Sequence, residues 1–288
     1  MSKAAGKTGT SPTVLIAIEQ FFSKENRILD DPLSVEFLRG GIGVMLRLFR
    51  VPRMRDWMVA ASEKTAPGLY GGILCRKRYI DDKLTKFIAD MDAVVNLGAG
   101  LDTRLYRPEF AEKLPAWELD QPDNINAKQR IIGLALGSLP KMLTLVPIDF
   151  DTQDIRHVIH SAGYTSDKIT FFIWEAVTQY LTREGLRSTF EFLSGAKSGS
   201  RIVFTYVRKK FINGQELFNW PAGYKRFVKS GLWKFGEEPE YWPSFLEPYG
   251  WKVEEDVEYG QLADIYIKPS GRILLISPVE RILFAKKL

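Results

Sequence analysis

Apolar residues fall in two rhythms along this chain. From Thr13 to Asp90 they recur at helical spacing. Val14, Leu15, Ile18, Phe21 and Phe22 form one face after the start signal Ser11-Pro12. Asp31-Pro32, Gly40-Gly41 and Pro52 punctuate this stretch, and a longer helix is predicted from about Leu69 to Ala89. From Ala93 the rhythm changes. Apolar runs at Ala93–Leu97, Ala116–Leu119, Leu143–Ile148, Ile169–Trp174 and Ser200–Val207 read as strands. Helices are predicted between them, near Thr103 and over Pro122–Leu136, Ile155–Ala162 and Arg183–Ser194. Such alternation predicts a mostly parallel sheet with helices on both faces, and strands this continuously apolar are covered on both sides. Further on, Phe211–Lys229 and Trp242–Tyr249 read as helices. Trp251–Val257, Ile265–Ile267 and Arg272–Pro278 read as strands too closely spaced for crossover helices, which predicts antiparallel pairing at the sheet edge. The chain thus divides into a polar tail (1–12), a helical N-terminal cap (13–90) and an α/β core (91–288) with an inserted cap segment at about 208–250.

Composition narrows the classes. The 288 residues are 45% hydrophobic and 26% charged, enough to bury a large core. No uncharged apolar stretch approaches about 18 residues, so no membrane span is predicted. Met1–Pro12 lacks the apolar segment of a secretory signal and reads as a disordered tail. One cysteine, Cys75, excludes an internal disulfide and any multi-cysteine metal site, and a cytoplasmic location is expected. The net charge of +5 is spread along the chain, without the clustering expected of a nucleic-acid binder.

The densest chemistry lies in Val94-Val95-Asn96-Leu97-Gly98-Ala99-Gly100-Leu101-Asp102-Thr103-Arg104. A buried strand runs into two glycines, one residue apart, which lets bare backbone approach a ligand. About twenty residues on, Trp117-Glu118-Leu119-Asp120 ends a second strand in an acid placed to take ribose hydroxyls, the arrangement of an adenosine site. Thr103 stands where a dinucleotide fold places its third glycine. A cofactor without a pyrophosphate does not need that glycine, and S-adenosyl-L-methionine carries an amino acid there instead. By strand alternation Glu118 points to the opposite face.

Five segments, taken together and in order, resemble the leucine carboxyl methyltransferase family from about Gly68 to Val207. They are Arg76-Lys77-Arg78-Tyr79-Ile80-Asp81-Asp82, Asn96 through Arg104, Glu118-Leu119-Asp120-Gln121-Pro122, Pro147-Ile148-Asp149-Phe150, and Trp174-Glu175-Ala176-Val177-Thr178-Gln179-Tyr180-Leu181-Thr182. The resemblance implies a Rossmann-like class I methyltransferase fold, a mostly parallel seven-stranded sheet with an antiparallel edge strand and a helical N-terminal cap. It implies S-adenosyl-L-methionine as cofactor. In that pattern Arg76 pairs with the cofactor carboxylate, Gly98 and Gly100 line its methionine part, and Asp120 takes the ribose. Asp149 accepts from the adenine amino group with Phe150 beside the ring, and Glu175 lies at the methionine end. Family members often carry Leu where Phe150 stands. Some place an N-terminal lysine against the carboxylate, for which Lys24 is the nearest candidate.

The expected activity is S-adenosylmethionine-dependent O-methylation of a small molecule at a carboxyl or hydroxyl group. A protein C-terminal carboxyl methyltransferase, a nicotinamide oxidoreductase and a non-catalytic scaffold are the alternatives. A carboxylate acceptor is already ionised and needs no base. For a hydroxyl, Tyr180 and Tyr206 are the candidate catalytic and acceptor-facing groups. Arg208, in Arg208-Lys209-Lys210, either holds an anionic substrate or belongs to a solvated run. Ile42–Met58, dotted with Arg47, Arg50, Arg53 and Arg55, is expected to form a hydrophobic lid, with a membrane-surface segment as the other possibility. Phe218, Trp220, Tyr224, Phe227, Trp233 and Phe235 either wall the acceptor pocket or pack the cap. His157 and His160 read as solvated rather than as half a metal site. Gly6-Lys7-Thr8 lacks the strand and first glycine of a phosphate loop.

Overall fold

The computed structural model describes residues 10–38, 40–150 and 152–288. Its apolar runs form seven strands: β1 (Ala93–Leu97), β2 (Ala116–Asp120), β3 (Leu143–Pro147), β4 (Thr170–Trp174), β5 (Arg201–Val207), β6 (Trp251–Glu258) and β7 (Glu280–Lys287). They make one sheet in the order β3-β2-β1-β4-β5-β7-β6. Pairing is parallel from β3 to β5 and antiparallel where β7 meets β5 and β6. The antiparallel pairing expected at one edge is present. The reversed strand is β7, inserted between β5 and the outermost strand β6.

Strand alternation explains why both faces are covered. In β4, Phe171 and Ile173 join a core that includes Tyr70, Leu74, Ile80 and Leu84. Phe172 and Trp174 enter the opposite core with Phe190, Phe204 and Trp242. The first core lies under the cap. Its helices are α1 (Thr10–Glu19), α2 (Pro52–Thr65) and α3 (Leu69–Phe87). The core helices that follow are α4 (Pro122–Leu136), α5 (Ile155–Ser161) and α6 (Arg183–Ser194). The chain builds outward from β1 through β2 to β3, then returns to place β4 on the other side of β1. A ligand crevice is expected at that reversal, beyond the carboxyl ends of the strands.

Three elements differ from the sequence expectation. Arg272–Pro278 is not a strand, and the C-terminal strand is β7. Ile265–Ile267 belongs to a wide helical turn, Ala263–Ile267, packed near α3. Phe211–Lys229 is broken into short turns, with Phe218 and Asn219 both at positive φ, where a continuous helix cannot pass. Of the predicted tail, residues 1–9 lie outside the described residues, with Gly6-Lys7-Thr8 among them, while 10–12 open α1.

Candidate active site

The loop after β1 delivers the glycines to the crevice. Gly98 has φ +73° and Gly100 φ +46°. The amides of Gly98 and Ala99 both donate to the Leu119 carbonyl, at 2.8 and 3.1 Å, which ties the turn to β2. A Cβ on Gly98 would sit 2.4 Å from Val177 Cγ2, whereas a Cβ on Gly100 would meet nothing within 4 Å. Gly98 therefore permits close packing, and Gly100 leaves room for a ligand. Asp120 closes the turn from the end of β2. Its Oδ2 accepts the Gly100 amide at 2.6 Å, and its Oδ1 accepts from the Gln121 amide and Asn124 Nδ2, both at 2.7 Å.

The opposite end carries charges of both signs. Arg76 and Lys77 come from α3 and Glu175 from the end of β4. Arg76 Nε donates to Glu175 Oε1 and Nη1 to Glu280 Oε2, each at 2.8 Å. Lys77 Nζ reaches Glu175 Oε2 at 3.1 Å and Asp102 Oδ2 at 3.4 Å. Behind them Arg104, wholly buried, bonds Asp81 and Asp102 and approaches Glu175 at 3.5 Å. Burial alone would raise the pKa of Asp102 and Glu175. The charges of Arg104 and Lys77 on Asp102, and of Lys77, Arg76 and Arg104 on Glu175, overcome burial and hold both carboxyls below their ordinary range. Ala176, next to Glu175, has φ +57°, an uncommon conformation for a residue with a Cβ. Its amide donates to Thr205 Oγ1 at 2.8 Å, so the turn is held from the neighbouring strand.

Thr103 has a use that a glycine would not. Its hydroxyl donates to the buried Asp31 carboxylate at 2.5 Å, pinning the turn after β1 to the cap. Glu118 faces away as alternation predicts, where it pairs with Lys128 Nζ at 2.6 Å and accepts from the Tyr106 hydroxyl.

Two cavities meet here. The first, of about 150 Å³, is lined by Gly98, Gly100, Asp102, Asp120, Arg76, Lys77 and Glu175, with Pro12, Thr13 and Ile16 of α1 over it. The second, of about 630 Å³, is bounded by Trp220, Phe227 and Trp233 and by Met58, Ala61, Ser62 and Thr65 of α2. Arg76, Ala176 and Tyr180 line both.

Most sequence-predicted site residues converge on this place. Arg76, Gly98, Gly100, Asp120, Glu175 and Tyr180 all line the junction or the smaller cavity. Asp149 and Phe150 are half-buried after β3, outside the lining of either cavity, with the Asp149 amide donating to Gln153.

Tyr206 is not brought in. Its hydroxyl donates to Asp256 Oδ2 at 2.7 Å and its ring packs against Trp242, because its place in β5 turns it toward the opposite core. Burial, with the charge of Asp256, raises its pKa. Arg208 is also elsewhere, paired with Glu238 at 2.8 Å, and Lys209 pairs with Glu237. Lys24 is exposed on a short turn (Lys24–Asn26) and lines neither cavity; Lys77 is the lysine at the cleft. Within Ile42–Met58, only Met58 lines a cavity, so the expected lid is not made by this stretch. The cover comes from α1, where Glu19, itself bonded to Tyr70 and Arg272, anchors the helix. Of the aromatic cluster, Trp220, Phe227 and Trp233 wall the larger cavity, while Phe235 packs against Trp242. His157 and His160 are exposed, and no group of metal-ligating side chains occurs among the described residues. Among the same residues no helix is long and apolar enough to cross a membrane.

Lys77, Asp102 and Arg104 are site residues that motif reading left without a role. All three lie inside the segments that carried the family resemblance, so charge adjacent to the glycine turn was the available signal.

The strand order, the glycine turn and the acid ending β2 define a Rossmann-like methyltransferase fold. Two solved structures share it. One is the crystal structure of a protein named "putative methyltransferase" from Thermobifida fusca YX (TM-score 0.54, 13% identity, covering 88% of this chain and 92% of that one). The other is a DUF574 family protein from Streptomyces avermitilis MA-4680 (TM-score 0.52, 12% identity, 81% and 90%). At the level of sequence, residues 10–194 match the leucine carboxyl methyltransferase family model, and the chain belongs to that family. It is an S-adenosylmethionine-dependent methyltransferase. Relatives named "Putative S-adenosyl-L-methionine-dependent methyltransferase" include one from Mycolicibacterium gilvum (strain PYR-GCK), 27% identical over 208 residues, 70% of this chain and 67% of the relative. Another, from Mycobacterium marinum (strain ATCC BAA-535 / M), is 28% identical over 272 residues, 86% and 84%.

Proposed function

We propose that this methyltransferase acts on an oxygen of a small molecule, at a carboxyl or hydroxyl group, with the carboxyl favoured. The observation that carries this is the aromatic-walled cavity of about 630 Å³ meeting the cofactor cleft at Arg76, Ala176 and Tyr180. The residues lining the cleft suit the methionine and ribose parts of S-adenosylmethionine. Arg76 and Lys77 suit a carboxylate, and Glu175 with Asp102 an ammonium. Gly98 and Gly100 admit the methionine chain, and Asp120 with Asn124 takes the ribose hydroxyls. Asp149 and Phe150 are assigned to the adenine.

The cofactor supplies a sulfonium-activated methyl group. The protein's part is to align an acceptor oxygen with it and to exclude water. Tyr180, in the wall of both cavities, is placed to orient that oxygen. Tyr259 lines the larger cavity and its hydroxyl donates to Glu280 at 3.3 Å. Burial, then the charge of Glu280, raises its pKa well above the ordinary value, so the hydroxyl keeps its proton and offers the site no base. A carboxylate acceptor, which has no proton to lose, suits such a site.

Two buried polar atoms of the larger cavity's lining residues have no hydrogen-bond partner among the described residues: Gln179 Oε1 and Trp233 Nε1. A ligand bearing both a donor and an acceptor would satisfy them once the two side chains turn toward it, and each orphan costs about 1–3 kcal/mol. Trp233→Phe keeps an aromatic wall and removes the N–H. It is expected to raise the acceptor KM by roughly 5- to 150-fold while leaving cofactor affinity, read by calorimetry, unchanged. An unchanged KM would remove Trp233 Nε1 from acceptor recognition.

The test of the function uses cofactor labelled on the transferred methyl group, with metabolite and protein fractions offered separately. Label is expected in a small molecule. Release of methanol by alkali marks an ester, and resistance marks an ether. Label confined to protein C-termini would overturn the proposal in favour of a protein carboxyl methyltransferase.

A further inference from the structure

The stretch from Gly40 to Trp57 is unlike the rest of the surface. Its apolar side chains face outward: Val44 is 63% exposed, Trp57 62%, Leu48 55% and Val51 52%, with Met45 and Met54 also exposed. A soluble chain rarely leaves so many large apolar groups uncovered in so short a stretch, and such patches mark interaction surfaces. Only Leu46 and Phe49 turn inward, anchoring the stretch on Ile18 and Leu38. Interleaved with the exposed apolar groups are three exposed arginines, Arg47, Arg50 and Arg53. The one acid here, Asp56, is paired with Arg55.

We propose that this face docks on an anionic membrane surface, with the apolar side chains at the acyl boundary and the arginines among the headgroups. The composition fits that occupant. Apolar side chains supply burial, arginine stems reach along them, and guanidinium groups meet lipid phosphates. No residue between Gly40 and Trp57 lines either cavity, so the face is separate from the cofactor cleft and the larger cavity. A second copy of the chain fits poorly, because a two-fold contact would set these arginines against their own copies. Lying on a membrane needs no spanning helix.

The placement also connects to the site. Trp57 ends the outward-facing stretch of α2, and the next turns of the same helix, at Met58, Ala61, Ser62 and Thr65, line the larger cavity. One helix thus carries the docking face and a wall of that cavity. The docking inference stands on the surface alone and does not depend on which acceptor the cavity takes.

Flotation of the full chain with lipid vesicles tests it. Vesicles of phosphatidylcholine with phosphatidylglycerol are compared with phosphatidylcholine alone. Binding to the anionic vesicles is expected, weakening with salt, and little binding to the neutral ones. Replacing Arg47, Arg50 and Arg53 together with Gln should weaken binding on the order of a hundredfold. Leu48→Ser with Trp57→Ser should weaken binding to the anionic vesicles even at low salt. Calorimetry with S-adenosylhomocysteine should give the parent affinity in every variant, which separates loss of docking from loss of folding. Absence of binding to anionic vesicles, or equal binding by the arginine variant, overturns the inference. So does a concentration-dependent dimer that the Leu48 and Trp57 substitutions abolish, since the face would then be covered by a second copy.

Discussion

Arg104→Met is expected to destabilise the protein by about 3–5 kcal/mol, the usual result of removing one partner from a buried charge cluster. Arg104 has no exposed surface, and its guanidinium serves three carboxylates at once: Asp81, Asp102 and Glu175. Methionine fills similar volume and leaves those acids with less compensation. Urea denaturation monitored by tryptophan fluorescence reads the loss. The same experiment repeated against pH carries a second sign. In the parent, burial would raise Asp81, Asp102 and Glu175, but the neighbouring cations hold each below its ordinary range. A depressed carboxyl stabilises the fold at pH above its unfolded value, about 4, and that contribution is lost only as pH falls through the lower folded value. In the variant, burial acts with less opposition and the carboxyls protonate at higher pH, which relieves the repulsion. The gap between parent and variant is therefore largest at neutral pH and narrows on acidification. Asp31 and Glu118 run the other way, since burial raises both. Their contributions are present at low pH and fade as pH rises through their folded values. A loss below about 1 kcal/mol, or a gap that widens in acid, would mean that Arg104 is not what keeps these acids ionised.

The parts of this architecture that were legible in the sequence are those where local pattern and tertiary need agree. Ala93–Leu97, Pro122–Leu136 and Arg183–Ser194 appear at the predicted bounds because each has its own start or stop: an apolar run into Gly98, Pro122 at the first helical position, Thr182 capping the Gly185 amide. The C-terminal strand shows the opposite case. Arg272-Ile273-Leu274-Leu275-Ile276 and Arg281-Ile282-Leu283-Phe284-Ala285 are nearly the same pattern, and β-propensity cannot choose between them. The fold chooses the second, which pairs residue by residue with β5 from Arg201 to Val207, while Ile273 is left 98% exposed. The first instead passes over α3, where Gly68 and Gly71 have no Cβ to block Ser277 and Leu275.

The site divides in the same way. Gly98, Gly100 and Asp120 were legible because they lie at or just past the ends of β1 and β2 in the same parallel sheet, and strand ends converge on one crevice. Tyr206 was misplaced because its position near the end of β5 does not by itself say which face it takes. Alternation put it under Trp242 with Asp256 as partner. Lys77 and Arg104 stayed invisible for another reason. Their importance lies in what they face from other elements, Glu175 from β4 and Asp81 from α3, and sequence spacing carries no record of those contacts. The aromatic wall of the larger cavity was legible as a cluster, but Trp220, Phe227 and Trp233 meet across broken turns where a helix was expected.

Asp120→Ala is expected to weaken binding of S-adenosylmethionine and of its demethylated product to the same degree, by about 1–3 kcal/mol, or roughly 5- to 150-fold. The two ligands share the ribose, and the methyl they differ by sits on the sulfur rather than on the hydroxyl edge of the ring. Asp120 is only 3% exposed, and its oxygens already accept from Gly100, Gln121 and Asn124, so the carboxylate is fixed before a ligand arrives. That fixation makes the substitution ambiguous by itself, since losing the carboxylate also frees the Gly100 amide and with it the turn. A cycle with 2′- and 3′-deoxyribose analogues of the product separates the two effects. If Asp120 bonds the hydroxyls directly, the parent discriminates against the deoxy ligands and the variant does not. If it acts only by holding the turn, both proteins discriminate equally and every ligand loses the same factor. Arg76→Gln is the complementary change at the charged end. Its effect should be indifferent to the ribose analogues, because Arg76 meets the cleft beside Glu175 and Lys77 and makes no contact with the Asp120 turn. Equal loss of discrimination in both variants would show that the two ends of the cleft are not independent, and would sink the residue-by-residue assignment of the cofactor.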